Sequence, residues 1–161
     1  MINANRRTVL FGSLALAAMP TFALAQARRF ANSPQRRFTD AQWRQRLSSD
    51  AYTVLRQSGT ERAYTSPLTD EHRSGVFACA GCNLPLFRSN WKFESHTGWP
   101  SFYRAIGSNI TTRVDNSAGM TRTEYRCAQC LGHQGHLFND GPAPTGLRYC
   151  NNGVALTFTQ A

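Results

Sequence analysis

The chain has 161 residues, of which 41% are hydrophobic and 11% aromatic, enough to bury one hydrophobic core. This composition excludes a collagen, a coiled coil and a wholly disordered chain. The net charge of +9 could indicate nucleic-acid binding, but most of it lies near the N-terminus. Residues 28–46 contain six arginines and one aspartate, which leaves residues 47–161 with only +2. We therefore expect a single domain that does not bind nucleic acid.

Residues 1–27 have the pattern of an export signal. Arg6 and Arg7 precede a broken apolar run that ends in small residues suited to cleavage, and the paired arginines resemble a twin-arginine signal. We expect a periplasmic protein with no stable membrane span after the signal is removed. An uncleaved anchor or an amphipathic arm is the alternative. Residues 28–38 are polar and rich in arginine, which predicts a flexible tether.

Two short helices are predicted next. Thr39 and Gln42 have the spacing of a capping box, which predicts a helix from this point to about Leu47. A second helix is predicted to start at Ser48-Ser49 and to stop at Gly59, a residue that tolerates a left-handed backbone. We expect both helices to cover the fold as lids and to contribute little to its core.

Beyond Pro67 the chain consists of short runs that either alternate polar with apolar residues or are rich in aromatic residues, and turn residues separate these runs. This pattern predicts a mainly β, antiparallel domain that, together with the two helices, occupies residues 39–161. The predicted strands are residues 75–78, 84–87, 102–106, 110–114, 123–126 and 154–159.

Four cysteines form two C-x-x-C turns. Cys79 and Cys82 make the first turn, and Cys127 and Cys130 make the second. Each turn can present two thiolates to one ion, so together they supply the four soft ligands of a closed tetrahedral site. We therefore predict one structural Zn²⁺ ion. Disulfides are the alternative, because an exported protein meets an oxidising compartment, although such close pairs make poor long-range crosslinks.

The fifth cysteine, Cys150, remains after the four ligands are assigned. Arg148 lies two positions before it and would favour its thiolate form. His133 and His136 follow the second C-x-x-C turn, where a bound metal would hold them rigidly, and an imidazole beside a thiol can pass on a proton. Taken alone, a buried strand cysteine is at least as good an interpretation of Cys150, and a second metal at the two histidines is a further alternative.

Several other motifs surround these residues. They are Gly59-Thr60-Glu61, Gly98-Trp99-Pro100-Ser101-Phe102, Arg122-Thr123-Glu124, Asp140-Gly141-Pro142, and Arg148-Tyr149-Cys150 followed by Asn152. A loop tryptophan by itself indicates only packing. With both C-x-x-C turns and in this order, however, the motifs resemble the B-type methionine sulfoxide reductases from about Trp43 to Phe158. Members of that family reduce the R epimer of methionine sulfoxide, and the resemblance implies two small packed antiparallel sheets in a tent-like arrangement.

The resemblance also implies a chemical role for each residue of the site. Cys150 would attack the sulfoxide sulfur and be left as a sulfenic acid, since a thiolate is the competent nucleophile. His133 would be the principal acid that protonates the oxygen, and His136 would help to orient or polarise it. Three more residues would support them: Asn152 by hydrogen bonding, Trp99 by receiving the S-methyl group, and Arg148 by favouring the thiolate.

The chain departs from the family pattern at Thr97, where many members carry a resolving cysteine. Because no sixth cysteine exists, the sulfenic acid must be reduced by an external thiol, either a thioredoxin-like protein or a small thiol. We expect a monomer that acts on oxidised protein substrates. The rival class is a non-enzymatic, zinc-containing β recognition module, which would not need Cys150, His133 and Asn152 together.

Overall fold

A computed structural model describes residues 29–161, which contain two α-helices and nine strands. Helix α1 is Asp40–Arg46 and helix α2 is Ser49–Gln57. The strands are β1 (Gly75–Cys79), β2 (Pro85–Arg88), β3 (Lys92–Phe93), β4 (Ser101–Phe102), β5 (Ile110–Asp115), β6 (Arg122–Cys127), β7 (His133–Phe138), β8 (Arg148–Asn151) and β9 (Leu156–Gln160). The predicted fold class, mainly β with short N-terminal helices, is confirmed.

The strands form two antiparallel sheets that share one aromatic core. The three-stranded sheet has the order β2-β1-β9, and the six-stranded sheet has the order β3-β4-β8-β7-β6-β5. Phe77 and Phe87 of the first sheet contact Phe102 of the second, with ring centroids 5.0 and 4.2 Å from that of Phe102. All three side chains are fully buried. Burial of these rings holds the two sheets together.

Strands β7 and β8 were not among the predicted strands, although they occupy the middle of the larger sheet. Strand β7 opens with three consecutive buried residues, so its sequence shows no alternation of polar and apolar positions. Its pairing with β6 is interrupted by a register shift between Tyr125 and Arg126, which is typical of a β-bulge. Such a bulge interrupts the alternation of polar and apolar residues by which a strand is recognised in a sequence.

The helices begin where the sequence predicts, but they do not act as lids. Thr39 and Gln42 form the predicted capping box at the start of α1. Trp43 of α1 is 1% exposed and Leu55 of α2 is 2% exposed, so both helices contribute to the core. The left-handed residue that ends α2 is Ser58, with φ of 57°, and not Gly59 as predicted.

The predicted signal, residues 1–27, lies outside the described residues. Within residues 29–161, no helix is both long and apolar enough to cross a membrane. The described part of the predicted tether makes contacts with the domain: Pro34–Arg37 forms a short 3-10 helix, and Arg36 donates hydrogen bonds to the carbonyl oxygens of Ala128 and Gln129 at 2.7 and 3.3 Å. These two acceptors belong to the second C-x-x-C turn.

Candidate active site

The four cysteines of the C-x-x-C turns come together where the two sheets meet. Cys79 is the last residue of β1 and Cys127 is the last residue of β6, so each sheet contributes one turn. The four sulfur atoms lie within 4.8 Å of one another, and none of them is in a disulfide. Cys79 Sγ is 3.6 Å from Cys130 Sγ, and Cys82 Sγ is 3.4 Å from Cys127 Sγ. These separations approach the sulfur–sulfur distance of about 3.8 Å around a tetrahedral Zn²⁺ ion, so the cluster can hold a metal.

A buried amide network runs from this cluster towards β8. Gln134 Nε2 donates to Cys79 Sγ at 3.3 Å, and Gln134 Oε1 accepts from Asn151 Nδ2 at 3.5 Å. Asn151 Oδ1 accepts from the Tyr125 hydroxyl at 2.7 Å. Since Gln134, Asn151 and Tyr125 are all 0% exposed, their polar groups depend on one another for hydrogen bonds. None of these three residues had a predicted role.

Cys150 lies in a row of side chains that crosses the six-stranded sheet. In the strand register, Cys150 on β8 is directly opposite Ser101 on β4 and His136 on β7. His136 is in turn directly opposite Glu124 on β6. Directly opposed residues of antiparallel strands share one face, with Cβ atoms about 4.5–5.5 Å apart. Strand pairing therefore places the thiol beside an imidazole.

Above this row lies a small open pocket of about 130 Å³. Eight residues line this pocket. Four of them are predicted site residues: Trp99, His136, Cys150 and Asn152. The other four had no predicted role: Thr60, Arg122, Phe138 and Asn151. Two predicted site residues, His133 and Arg148, are not part of the lining. The pocket combines a thiol, an imidazole and an indole, which suits a small substrate group with both an apolar and a polar part.

Several charges and hydrogen bonds act on the Cys150 thiol. Burial raises its pKa, which disfavours the thiolate, whereas Arg148 and the hydroxyl of Thr97 lower it. Arg148 also forms a two-pronged ion pair with Asp140, at 2.8 and 2.7 Å. Because Asp140 itself opposes ionisation of the thiol, the pair weakens the effect of Arg148. Burial dominates in the free protein.

Each histidine is held by a carboxylate. His136 Nε2 is 2.7 Å from Asp115 Oδ2, which also accepts from Arg122 Nη2 at 2.9 Å. His133 Nδ1 is 2.7 Å from Glu124 Oε1, and its ring centroid is 5.4 Å from that of His136. Burial lowers the pKa of His133 although Glu124 opposes the shift. His133 Nε2 is buried and has no hydrogen-bond partner among residues 29–161.

The side chains of Asn152 and Trp99 are fixed through the same short segment. Asn152 Oδ1 accepts from the backbone N–H of Glu61 at 2.9 Å, and its Nδ2 donates to the carbonyl oxygen of Gln134 at 2.9 Å. Trp99 Nε1 donates to the carbonyl oxygen of Glu61 at 3.0 Å. The Glu61 backbone therefore orients both side chains at the pocket, and each polar atom of the Asn152 amide already has a backbone partner.

The sequence missed the carboxylates that hold the histidines. Glu124 belongs to the Arg122-Thr123-Glu124 motif but had no predicted role, and Asp115 belongs to none of the motifs. Asp115 is the last residue of β5 and reaches His136, 21 positions further along the chain, only because β5 and β7 both pair with β6. No local sequence signal marks such a contact.

Comparison with known proteins identifies the family. Residues 47–160 match the model of the SelR domain. The chain is 53% identical over 121 residues to the peptide methionine sulfoxide reductase MsrB of Thiobacillus denitrificans, covering 74% of this chain and 92% of that protein. It is 54% identical over 119 residues to the MsrB of Pseudomonas putida, covering 73% and 89% of the two chains. The chain therefore belongs to the MsrB family of peptide methionine sulfoxide reductases.

Proposed function

We propose that this chain reduces the R epimer of methionine sulfoxide in proteins, with Cys150 as the nucleophile. The observation that carries the proposal is the pocket in which the Cys150 thiol, the His136 imidazole and the Trp99 indole meet. This combination is matched to the substrate group, since the sulfoxide offers an electrophilic sulfur, a polar oxygen and an apolar methyl group. Membership of the MsrB family supports an oxidoreductase that acts on methionine sulfoxide.

The reaction transfers one oxygen atom to the protein. The Cys150 thiolate attacks the sulfoxide sulfur, the oxygen is protonated, and methionine leaves while Cys150 becomes a sulfenic acid. One external thiol then forms a mixed disulfide with Cys150 and releases water. A second thiol frees Cys150 and leaves with the first as a disulfide, so two thiols are oxidised for each sulfoxide reduced.

We assign protonation of the oxygen to His136 rather than to His133, which the family resemblance implied as the principal acid. His136 lines the pocket and is the cross-strand partner of Cys150. His133 lies behind it, 2% exposed and bonded to Glu124. Its role is to support the ring of His136, since a general acid must come within hydrogen-bonding reach of the group it protonates.

Trp99 is proposed to receive the S-methyl group, and this contact selects the epimer. With sulfur facing Cys150, methyl against the indole and oxygen towards His136, only one handedness of the sulfoxide fits. Arg148 supports ionisation of Cys150 from outside the pocket lining. Asn152 keeps the backbone of β7 and the Glu61 segment in place.

We further propose that the four clustered cysteines hold one structural Zn²⁺ ion. The ion would offset half of the negative charge of the four thiolates at the junction of the two sheets. Gln134 and the Gly132 N–H, which donates to Cys130 Sγ at 3.4 Å, would stabilise two of the thiolates. We propose a periplasmic location and a thioredoxin-like or small-thiol reductant, on the basis of the N-terminal sequence pattern and of Thr97.

The test supplies peptides containing either the R or the S sulfoxide epimer, together with excess dithiol, and measures methionine formation. We expect turnover of the R epimer only, and none for Cys150→Ser. Zinc content and circular dichroism of both proteins provide the folding control. Turnover of only the S epimer, or of neither, would contradict the proposal, and a Cys150→Ser variant that retained its biological function would favour a recognition module.

A further inference from the structure

Three hydroxyl side chains form a chain next to the nucleophile. Ser95 Oγ lies 2.9 Å from Thr97 Oγ1 and 2.7 Å from Ser101 Oγ. Ser101 Oγ also donates to the carbonyl oxygen of Trp99 at 3.1 Å. Ser101 is 1% exposed and directly opposite Cys150 in the strand register, and the Thr97 hydroxyl lowers the pKa of the Cys150 thiol. The hydroxyl chain therefore runs from the Trp99 carbonyl, past the strand position opposite Cys150, to Thr97.

Because each hydroxyl has one proton to donate, the hydrogen bonds along the hydroxyl chain can run in either of two directions. In one arrangement, Thr97 donates to Ser95, Ser95 to Ser101, and Ser101 to the Trp99 carbonyl. In the reverse arrangement, Ser101 would donate to Ser95 and Ser95 to Thr97, which would leave the Thr97 hydroxyl free to donate to the ionised sulfur of Cys150. The reversal exchanges a neutral hydrogen bond at the carbonyl for a charge-assisted bond at sulfur, which is roughly twice as strong.

We propose that Thr97, held by Ser95 and Ser101, is the hydroxyl donor that stabilises the ionised sulfur of Cys150 before it attacks the sulfoxide. Ser95 and Ser101 are positioning residues, since they act through Thr97. The inference rests on the proposed role of Cys150 as nucleophile. It gives a function to the position at which many members of the family have a second thiol.

Other titratable or charged groups also lie near Cys150. Arg148 favours the thiolate, and Asp140 disfavours it. His136 is the cross-strand partner of Cys150 on β7. On β6, Tyr125 is buried close enough for the Cys150 charge to raise the tyrosine pKa further. None of these four residues belongs to the hydroxyl chain, so the contribution of the chain can be measured separately.

The test removes the Thr97 hydroxyl while preserving the shape of the side chain. Thr97→Val does this, and Thr97→Ser restores a hydroxyl. Thr157→Val makes the same change at an exposed position of β9 and is the matched control. The measurement is the rate of Cys150 alkylation by iodoacetamide across a range of pH, read by intact-protein mass spectrometry on the zinc-loaded, substrate-free protein. Zinc content and circular dichroism verify that each variant folds.

We expect Thr97→Val to slow alkylation at neutral pH by about tenfold, with no change at high pH where the thiol is fully ionised. Thr97→Ser and Thr157→Val should match the wild type, and Ser95→Ala should show a smaller decrease at neutral pH. Identical pH profiles for Thr97→Val and the wild type would overturn the proposal. Since alkylation needs no sulfoxide, a shifted profile in a protein without reductase activity would contradict only the proposed function.

Discussion

At the level of single residues, the reactivity of Cys150 depends on neighbours that are remote in sequence. His136 and Ser101 are opposite it on the adjacent strands, and Thr97 acts on it from a loop. Burial raises the pKa of the thiol, and Arg148 together with the Thr97 hydroxyl offsets part of that effect. The balance can be changed by single substitutions.

The first prediction concerns Thr97→Cys. Since Thr97 is near enough to lower the pKa of the Cys150 thiol, a sulfhydryl at position 97 should capture the sulfenic acid and form an internal disulfide with release of water. Mass spectrometry after one turnover without reductant should show a protein two hydrogens lighter. The wild type and Thr157→Cys should instead show a sulfenic acid or a mixed adduct. A sulfenic acid that persists in Thr97→Cys would contradict this proximity.

The second prediction separates the two histidines. His136→Asn should lower kcat by about 10²- to 10⁴-fold, the range typical of a lost general acid, without a matching loss of stability. His133→Asn should have the smaller effect on kcat and the larger effect on stability, because it disrupts a buried bond to Glu124. Steady-state kinetics and urea denaturation of both variants test this. A larger kcat loss in His133→Asn would return the principal acid role to His133.

At the level of elements, strand β7 and the second C-x-x-C turn link the cysteine cluster to the pocket. Cys130 is followed after two residues by His133, and β7 then carries His136 to its position opposite Cys150. Gln134, on the same strand, donates to Cys79. Displacement of this turn would therefore move the histidines as well as the thiols.

The third prediction concerns the segment before α1, which contacts this turn. Arg36 is half-buried and donates to two carbonyl oxygens of the turn, whereas the neighbouring Arg37 is exposed. We expect Arg36→Ala to lower the free energy of unfolding by about 1–2 kcal/mol and Arg37→Ala to change it by less than about 0.5 kcal/mol. Urea denaturation measures both. Equal effects of the two substitutions would show that the contact does not stabilise the domain.

Features encoded by neighbouring residues could be predicted from the sequence, whereas features created by strand pairing could not. The capping box at Thr39 and the two C-x-x-C turns depend on spacings of three residues. The His136–Asp115 contact and the bulge near Tyr125 depend instead on how β5, β6 and β7 align. No local signal distinguishes Ser58 from Gly59 as the end of α2. The prediction of Gly59, the residue with the greater backbone freedom, is therefore wrong.

At the level of the whole molecule, the cysteine cluster is a crosslink between the two sheets. Cys79 ends a strand of the small sheet and Cys127 ends a strand of the large one. An ion bound by all four thiolates would oppose separation of the sheets. Apparent binding free energies of about 10–16 kcal/mol for structural zinc in finger peptides are large compared with the stability of a typical domain.

The fourth prediction concerns metal removal. We expect a strong chelator to cause loss of the near-ultraviolet circular dichroism of the buried aromatic residues, because Phe77 and Phe102 come from different sheets. The Cys150 pocket should be lost in the same transition, and added zinc should restore both. Metal content, circular dichroism and activity should be followed on one sample. Full retention of the aromatic signal after the metal has gone would contradict the role of the cluster as a crosslink.

The fifth prediction concerns pH. Burial lowers the pKa of His133 below its ordinary value of 6.5, so the unfolded chain takes up a proton at a higher pH than the folded protein. The free energy of unfolding should therefore decrease as pH falls below about 6.5, by at most about 1.4 kcal/mol per pH unit for this one proton. Urea denaturation from pH 8 to pH 5 should show a weaker dependence in His133→Asn than in the wild type.

The control for this experiment is His72→Asn, because His72 is exposed. Acid also protonates the cysteine thiolates, but that effect is common to all three proteins and cancels in the comparison. If His133→Asn and His72→Asn follow the same pH dependence, burial of His133 does not contribute to acid sensitivity.

The direct pairing of Cys150 with His136 has a consequence for how this chain can diverge. Insertions between Asn139 and Leu147 would lengthen only the connection that joins β7 to β8 and leave the alignment of those strands intact. A single-residue deletion within either strand would instead transfer the thiol or the imidazole to the opposite side of the sheet. Insertions and deletions should therefore be tolerated in that connection and be eliminated by selection within β7 and β8.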